Sequence, residues 1–174
     1  MDYKLTDIRL LLLDVDGVMT DGGIIYDGNG LETKVFNVKD GHGIKMLQRY
    51  GIEVGIITGR TSKVVDFRAK ELGIDLVYQG ALKKLDSYCH VKEKTGLTDS
   101  QIAYVGDDII DVPVMRRVAF AAAPADALVE ARTAAHYVTS CGGGRGAVRE
   151  VCDLVLKGRG LWSEVAARYE LIES

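Results

Sequence analysis

Five acids, a threonine and a lysine stand where short apolar runs end. Asp14 and Asp16 follow Ile8–Leu13, Thr58 follows Val54–Ile57, Lys84 comes shortly after Leu76–Tyr78, and Asp107, Asp108 and Asp111 follow Ile102–Val105. Carboxylates gathered in one crevice repel unless a cation sits among them, and ligation by oxygen alone suits Mg2+ rather than Zn2+. Thr58, the backbone amides after it and the Lys84 ammonium add the donors that a phosphoryl group needs. A carboxylate can also act as a nucleophile on phosphorus, giving an aspartyl-phosphate. If Asp14 ends its strand facing the ligand, the bend through Val15-Asp16-Gly17 brings Asp16 towards the leaving oxygen as a general acid. These residue types point to metal-assisted phosphoryl transfer.

Such a crevice needs a parallel sheet, where ligands bind beyond the carboxyl ends of the strands. The runs Ile8–Leu13, Val54–Ile57, Leu76–Tyr78, Ile102–Val105 and Ala119–Ala123 have strand length and are apolar on both faces, as in a sheet covered on both sides. Between them lie helical patterns: Ile44, Met46, Leu47 and Tyr50; Val64, Val65, Phe67, Ala69 and Leu72; Leu82, Leu85, Tyr88 and Val91. Gly51, Gly73 and Gly96 follow these helices where left-handed caps are wanted, and Thr98 with Gln101 has capping-box spacing. The expected fold is α/β: a doubly wound, mainly parallel, Rossmann-like sheet with helices on both faces and right-handed crossovers. One piece breaks the alternation. Residues 22–38 read as a hairpin flap inserted after the first strand, with strands at 23–26 and 33–38 joined by Asp27-Gly28-Asn29-Gly30. Its Ile24, Tyr26, Val35 and Phe36 need cover, either from their own domain or from another subunit.

Composition narrows the function classes. The 174 residues suit one domain, 1–174, with a tail over 158–174. A net charge of −3, with basic residues scattered, argues against nucleic acid or an anionic membrane as partner. The three cysteines, Cys89, Cys141 and Cys152, form no CxxC pair and are odd in number, which suits packing residues in a reducing cytoplasm. The opening "MDYKLTDIRLLLLDVDG" carries no basic leader and its apolar run is too short for a signal peptide or a membrane span.

The segments "DVDGV" at 14–18, "TGR" at 58–60, Lys84 and "GDDIID" at 106–111 resemble the four ordered motifs of the haloacid dehalogenase superfamily. The resemblance implies Asp14 as nucleophile and Asp16 as acid/base. Mg2+ would be held by Asp14, Asp107 and the backbone carbonyl of Asp16, with Asp108 and Asp111 supporting these ligands. Thr58, Gly59 and Lys84 would bind phosphate. An Asp rather than a Thr at position 16 points to a phosphatase. More narrowly, "DGVMTDGGIIYDGNG", "FNVKDGHGI", "ITGRTSKVVDFRAKELGI", "YQG" and "GGGRGAVREVCDLVL" resemble the capless family of 3-deoxy-D-manno-octulosonate 8-phosphate phosphatases of lipopolysaccharide biosynthesis, in which a hairpin replaces the cap domain. That resemblance implies sugar-acid contacts from Asn37, Val38, Lys39, Asp40, Gly41, Lys45, Arg60 and Arg68, with Asp16 and Lys84 at the phosphate end. It also implies a homotetramer with hairpins and tail at subunit interfaces, so that a neighbour closes the active site. Arginine forks suit a carboxylate remote from the phosphate. Arg60 favours the eight-carbon substrate, since similar phosphatases for nine-carbon 2-keto-3-deoxy sugar 9-phosphates carry Glu there.

Plainer readings stand beside these. Asp21 suits a turn; Lys83 and Lys84 could both be solvated; Arg68, eight residues after Arg60, could form a surface ion pair. Arg145 in "GGGRG" faces either substrate, neighbour or solvent. His42 lies beside the expected sugar contacts but could serve only the helix start, and His90 and His136 carry no signal. The tail pattern Leu161, Trp162, Val165 and Tyr169 docks on its own domain or reaches a neighbour. As a whole, the chain reads as a phosphatase or as a non-catalytic module of the same fold attached to nucleotide-sugar synthesis. A receiver domain fits less well, since the middle strand "VYQG" ends without the acid it would need.

Overall fold

The computed structural model describes residues 5–171, so the two ends of the expected domain 1–174 and the end of the tail at 174 lie outside the described residues. The first half of the chain runs β1 (Leu10–Leu13), β2 (Ile25–Tyr26), β3 (Glu32–Thr33), α1 (Val38–Arg49), β4 (Glu53–Ile57), α2 (Lys63–Leu72), β5 (Leu76–Tyr78) and α3 (Lys84–Thr95). The second runs β6 (Ile102–Val105), α4 (Val112–Met115), β7 (Phe120–Ala123), α5 (Val129–Ala134), β8 (Tyr137–Val138), α6 (Ala147–Gly158) and α7 (Trp162–Arg168).

Six strands form one sheet in the order β5-β4-β1-β6-β7-β8, and every pairing within it is parallel. The chain winds outward from β1 to β4 and β5, then returns to β6 on the other side of β1. Strand order therefore reverses at β1, which is where open α/β sheets place their ligand crevice. The run Leu10–Leu13 explains itself through strand geometry, because successive side chains point to opposite faces. Leu10 and Leu12 pack with Tyr88 and Val91 of α3 and Met115 of α4, while Leu11 and Leu13 pack with Leu47 of α1 and Val151 and Val155 of α6. All four are fully buried. Each contributes about 2 kcal/mol by leaving water, so the strand that carries Asp14 is a rigid support.

Helix ends follow local chemistry. The Asn37 side chain accepts the amide of Lys39 at 2.8 Å and starts α1, and Ser62 accepts the amide of Val64 at 3.2 Å and starts α2. Gly51, Gly73 and Gly96 adopt the left-handed conformation expected after α1, α2 and α3, and Thr98 with Gln101 forms a capping box on a single 3-10 turn.

The expected second hairpin strand, 33–38, is shorter in the structure, spanning Glu32–Thr33. Asn37 caps α1 and draws Val38 into the helix, which ends the extended run. Two expected helix-face residues are exposed instead: Phe67 at 75%, and Leu82 at 81%, in the bend before α3 where the Leu82 amide donates to the Gly80 carbonyl. The edge strand β8 is too short to show a period in sequence. The tail docks on its own chain. Val165 is buried, Lys157 lies 4.7 Å over the Trp162 ring, and Arg49 donates to the Tyr169 hydroxyl at 2.8 Å. Among the described residues no helix is long and apolar enough to cross a membrane.

Candidate active site

The β1–β6 pairing continues one residue past β1, where the Asp14 amide donates to the Val105 carbonyl at 3.0 Å. This fixes Asp14 at the carboxyl edge of the sheet, buried. The chain then coils tightly, with the amides of Val18, Met19 and Thr20 all donating to the Val15 carbonyl at 3.2, 2.9 and 3.1 Å. Within that coil Gly17 has φ +85°, and a Cβ there would lie 2.0 Å from Oδ2 of Asp107. Only glycine lets the Asp14–Gly17 turn pass so close to the acid on the next strand. From the other side, the glycine-rich loop before α6 closes on the same turn, and a Cβ on Gly143 would meet the Gly17 carbonyl oxygen at 1.9 Å.

At the start of α3, Lys84 turns its side chain fully inward. Its Nζ sits 2.5 Å from Oδ2 of Asp14 and 2.6 Å from Oδ1 of Asp111. Asp111 is fully buried and every direction around it is occupied. Oδ1 also accepts from the Tyr104 hydroxyl at 2.5 Å, and Oδ2 accepts the amides of Asp107 and Asp108, each at 3.1 Å. Asp111 is thus the hub that orients the β6 loop and Lys84. Asp108, expected to share that task, lines the cleft and bonds the amide of Ile109 at 2.5 Å.

One lysine does not balance three acids. Oxygens of Asp14, Asp107 and Asp111 lie within 4.8 Å of one another. Burial, with the Asp111 charge next, pushes Asp14 up to about 6; burial, with Asp14 and Asp111, pushes Asp107 up to about 8. Burial works against the charge on Lys84, but the two carboxylates outweigh it and hold the ammonium above its usual range. Burial lifts the Tyr104 hydroxyl well above the ordinary tyrosine range, so it stays a donor. Oδ1 of Asp107 is buried without a hydrogen-bond partner. With the oxygens of Asp111 satisfied, Asp14 and Asp107 are the acids with oxygen to give a cation, and a hard divalent ion fits this donor set.

A cleft of about 150 Å³ opens above, lined by Asp14, Asp16, Thr58, Gly59, Arg60, Asp107, Asp108 and Ile110. Thr58 is held by its amide on the Tyr78 carbonyl at 2.9 Å and by its own carbonyl, which accepts from Ala81 at 3.0 Å. Asp16 lines the same cleft, and its Oδ1 meets Nζ of Lys34 at 2.5 Å. The hairpin folds over this edge. Arg60 donates through Nη2 to Glu32 at 2.8 Å and to the Tyr26 hydroxyl at 3.1 Å, while its buried Nη1 has no partner. Glu32 also accepts from the Ser62 hydroxyl and lies 3.3 Å from Lys34. These bonds, the Ser62 contact foremost, hold Glu32 below the usual carboxylate range despite some burial.

The remaining expected sugar contacts gather around the start of α1. Asn37 bonds the Gly144 carbonyl at 3.3 Å. Arg68 reaches the Asn37 carbonyl at 3.4 Å, lies 5.4 Å over the Phe36 ring and pairs with Glu71 at 2.8 Å, with its Nε buried and unpartnered. Val38 and Lys39 are exposed, and Gly41 packs against the Arg68 guanidinium. Asp40 has a structural task, accepting the amide of Arg149 at 2.8 Å near the start of α6; its Oδ2 is buried without a partner, and burial raises its pKa above the carboxylate norm. Lys45 stands apart, its amine beside Gly73 at the far end of α2. Asp21 bonds the Gly23 amide at 3.0 Å, as a turn residue does. Sequence reasoning missed Glu32, Lys34 and Tyr104. The available signal was the spacing of two between Glu32 and Lys34, which puts both charges on one face of the ribbon.

No family model matches the chain. It is 50% identical over 161 residues to the 3-deoxy-D-manno-octulosonate 8-phosphate phosphatase KdsC of Escherichia coli K12, covering 92% of this chain and 86% of that protein. The phosphatase of that name from Yersinia pestis superimposes with a TM-score of 0.90 at 48% identity, over 92% of this chain and 86% of that one. The Moraxella catarrhalis phosphatase, solved with a magnesium ion, a phosphate ion and a KDO molecule, superimposes with a TM-score of 0.93 at 42% identity, over 95% of each chain.

Proposed function

The chain belongs to the 3-deoxy-D-manno-octulosonate 8-phosphate phosphatase family of the haloacid dehalogenase superfamily, and from that membership we propose how its own residues hydrolyse this sugar-acid phosphate. The observation that carries the reading is the complete cluster of Asp14, Lys84, Asp107 and Asp111 under a cleft that Arg60 lines.

Asp14 attacks phosphorus from the end of a rigid strand. The bond to the sugar oxygen breaks, and Asp16 supplies that oxygen with a proton. The aspartyl-phosphate on Asp14 is then attacked by water, which gives a proton back to Asp16, and phosphate leaves with Asp14 restored. Thr58, the Gly59 amide and Lys84 hold the phosphoryl oxygens through the transfer, and Asp111 keeps Lys84 and the β6 loop in register. Asp14, Asp107 and the Asp16 carbonyl would hold Mg2+, which would supply charge neutralisation between the acids and the phosphoryl group.

At the other end of the substrate, Arg60, which lines the cleft while Glu32 holds its Nη2, meets the sugar-acid carboxylate. Arg68, Asn37 and the start of α1 complete the sugar side, with Lys39, Asp40, Gly41 and Lys45 serving a shared site between subunits. The assembly is a homotetramer; this is supported by the outward face of the hairpin, where Ile24, Tyr26 and Val35 are 60%, 58% and 68% exposed. The protein acts in the cytoplasm, where its three unpaired cysteines remain thiols.

Phosphate release across a panel of sugar-acid phosphates, with Mg2+ and with EDTA, tests the reading. The eight-carbon 3-deoxy sugar acid is the expected best substrate, only with Mg2+, and Asp14→Asn is inactive. Equal rates on unrelated phosphomonoesters defeat the specificity, and full activity in Asp14→Asn defeats the mechanism. No release from any sugar-acid phosphate leaves the non-catalytic module as the reading.

A further inference from the structure

We propose that Lys34, on the hairpin, is a positioning residue that holds the Asp16 carboxylate in the orientation from which it protonates the leaving sugar oxygen. This rests on the reading of Asp16 as the general acid. Lysine ammonium groups are rarely buried without charged partners, because losing hydration costs several kcal/mol. The Lys34 side chain is nonetheless only 1% exposed, and its Nζ lies 2.5 Å from Oδ1 of Asp16 and 3.3 Å from Oε1 of Glu32.

Three pieces of the fold determine where that amine sits. Alternation along the ribbon turns Glu32, Lys34 and Phe36 inward and leaves Leu31, Thr33 and Val35 exposed. Glu32 is fixed by Arg60, from the end of β4, and by the hydroxyl of Ser62, which caps α2. Phe36 packs against the core and under Arg68. The amine is therefore a fixed point, not the tip of a wandering chain. Its bond takes one oxygen of Asp16, Oδ1, and leaves Oδ2 to carry and release the proton. Proton transfer falls off steeply when donor and acceptor lose alignment, so a carboxylate free to rotate is a poorer acid at the same distance.

The leaving group separates this role from the alternatives. A sugar alkoxide needs a proton as it departs, whereas p-nitrophenolate departs without one. kcat/KM reports the steps up to loss of the leaving group. In Lys34→Met, measured with Mg2+, kcat/KM for the sugar-acid phosphate is expected to fall roughly 10- to 100-fold, a part of what a general acid supplies. For p-nitrophenyl phosphate it should stay within about threefold, since no general acid acts on that group. Lys34→Arg keeps the charge with a larger head and shows the same selectivity with a smaller loss. It also decides the matter should Lys34→Met not fold. Equal losses on both substrates place Lys34 on the phosphate or in the fold and overturn the proposal, as does an absence of loss on either. A wild-type protein that releases p-nitrophenol but no phosphate from the sugar acid refutes the functional reading and takes the inference with it.

Discussion

Replacing Lys84 by Met tests the electrostatic core of the site. The ammonium sits between Asp14 and Asp111, at 2.5 and 2.6 Å, with its side chain fully buried. Met fills nearly the same space, so the change removes charge with little loss of packing. Breaking a buried ion pair from one side costs about 3–5 kcal/mol, because the partner charge stays buried and unmatched. Here two carboxylates lose their partner and Asp107 stands nearby, so the upper part of that range applies. Domains of this kind are stable by only about 5–15 kcal/mol. Urea unfolding in EDTA should therefore find Lys84→Met several kcal/mol less stable than wild type. A divalent ion stabilises whichever state it binds by about 2.7 kcal/mol at a concentration 100 times its Kd. With one more uncompensated negative charge, the variant should bind Mg2+ more tightly than wild type, and the gap between them should narrow when Mg2+ is added. A loss below about 1 kcal/mol in EDTA would refute the counterion argument, and a gap unchanged by Mg2+ would place the ion elsewhere.

Three further outcomes follow. Asp14 and Asp107, raised to about 6 and about 8 without a cation, bind protons more tightly folded than unfolded; their contribution to metal-free stability should be full below about pH 4, be lost as pH rises through 8, and lose that slope in Mg2+, as the difference between thermal melts in EDTA and in Mg2+ across pH would show. Gly17→Ala adds a Cβ 2.0 Å from Oδ2 of Asp107 at φ +85°, so Mg2+-dependent phosphatase activity should be lost and stability reduced by about 1–3 kcal/mol. Val35→Lys places a charge on the exposed face of the hairpin, 68% exposed in this chain, and sedimentation should find it smaller than wild type; a wild-type monomer at assay concentrations refutes the shared-site arrangement.

The sheet and its working edge were legible because burial on both faces makes Leu10–Leu13 and Ile102–Val105 unbroken apolar runs, and any acid or hydroxyl just beyond them is conspicuous. The same rule brings Asp14, Thr58 and Asp107 to one cleft, with Lys84 buried against Asp14 beneath. The hairpin was harder to read. A ribbon of two-residue strands has no period to detect, and Glu32 and Lys34 matter only through where the ribbon folds back. Phe67 and Leu82 misled because periodicity records which residues are apolar, not whether a neighbour exists to cover them. Asp111 looked like one more acid in a row. Its place as hub depends on Tyr104, a hydroxyl hidden within an apolar strand seven positions earlier.

The grip of Glu32 on Arg60 has an evolutionary side. These residues are 28 positions apart, yet they form one electrostatic unit at 2.8 Å. Exchanging Arg60 alone for an acid would set two carboxylates face to face and leave Ser62 and Lys34 to reconcile them. A lineage moving between substrates thus meets an epistatic barrier: the hairpin must change before, or together with, the loop after β4. Ancestral intermediates along such a path should show their first substitutions at position 32, while the residue at position 60 is still arginine.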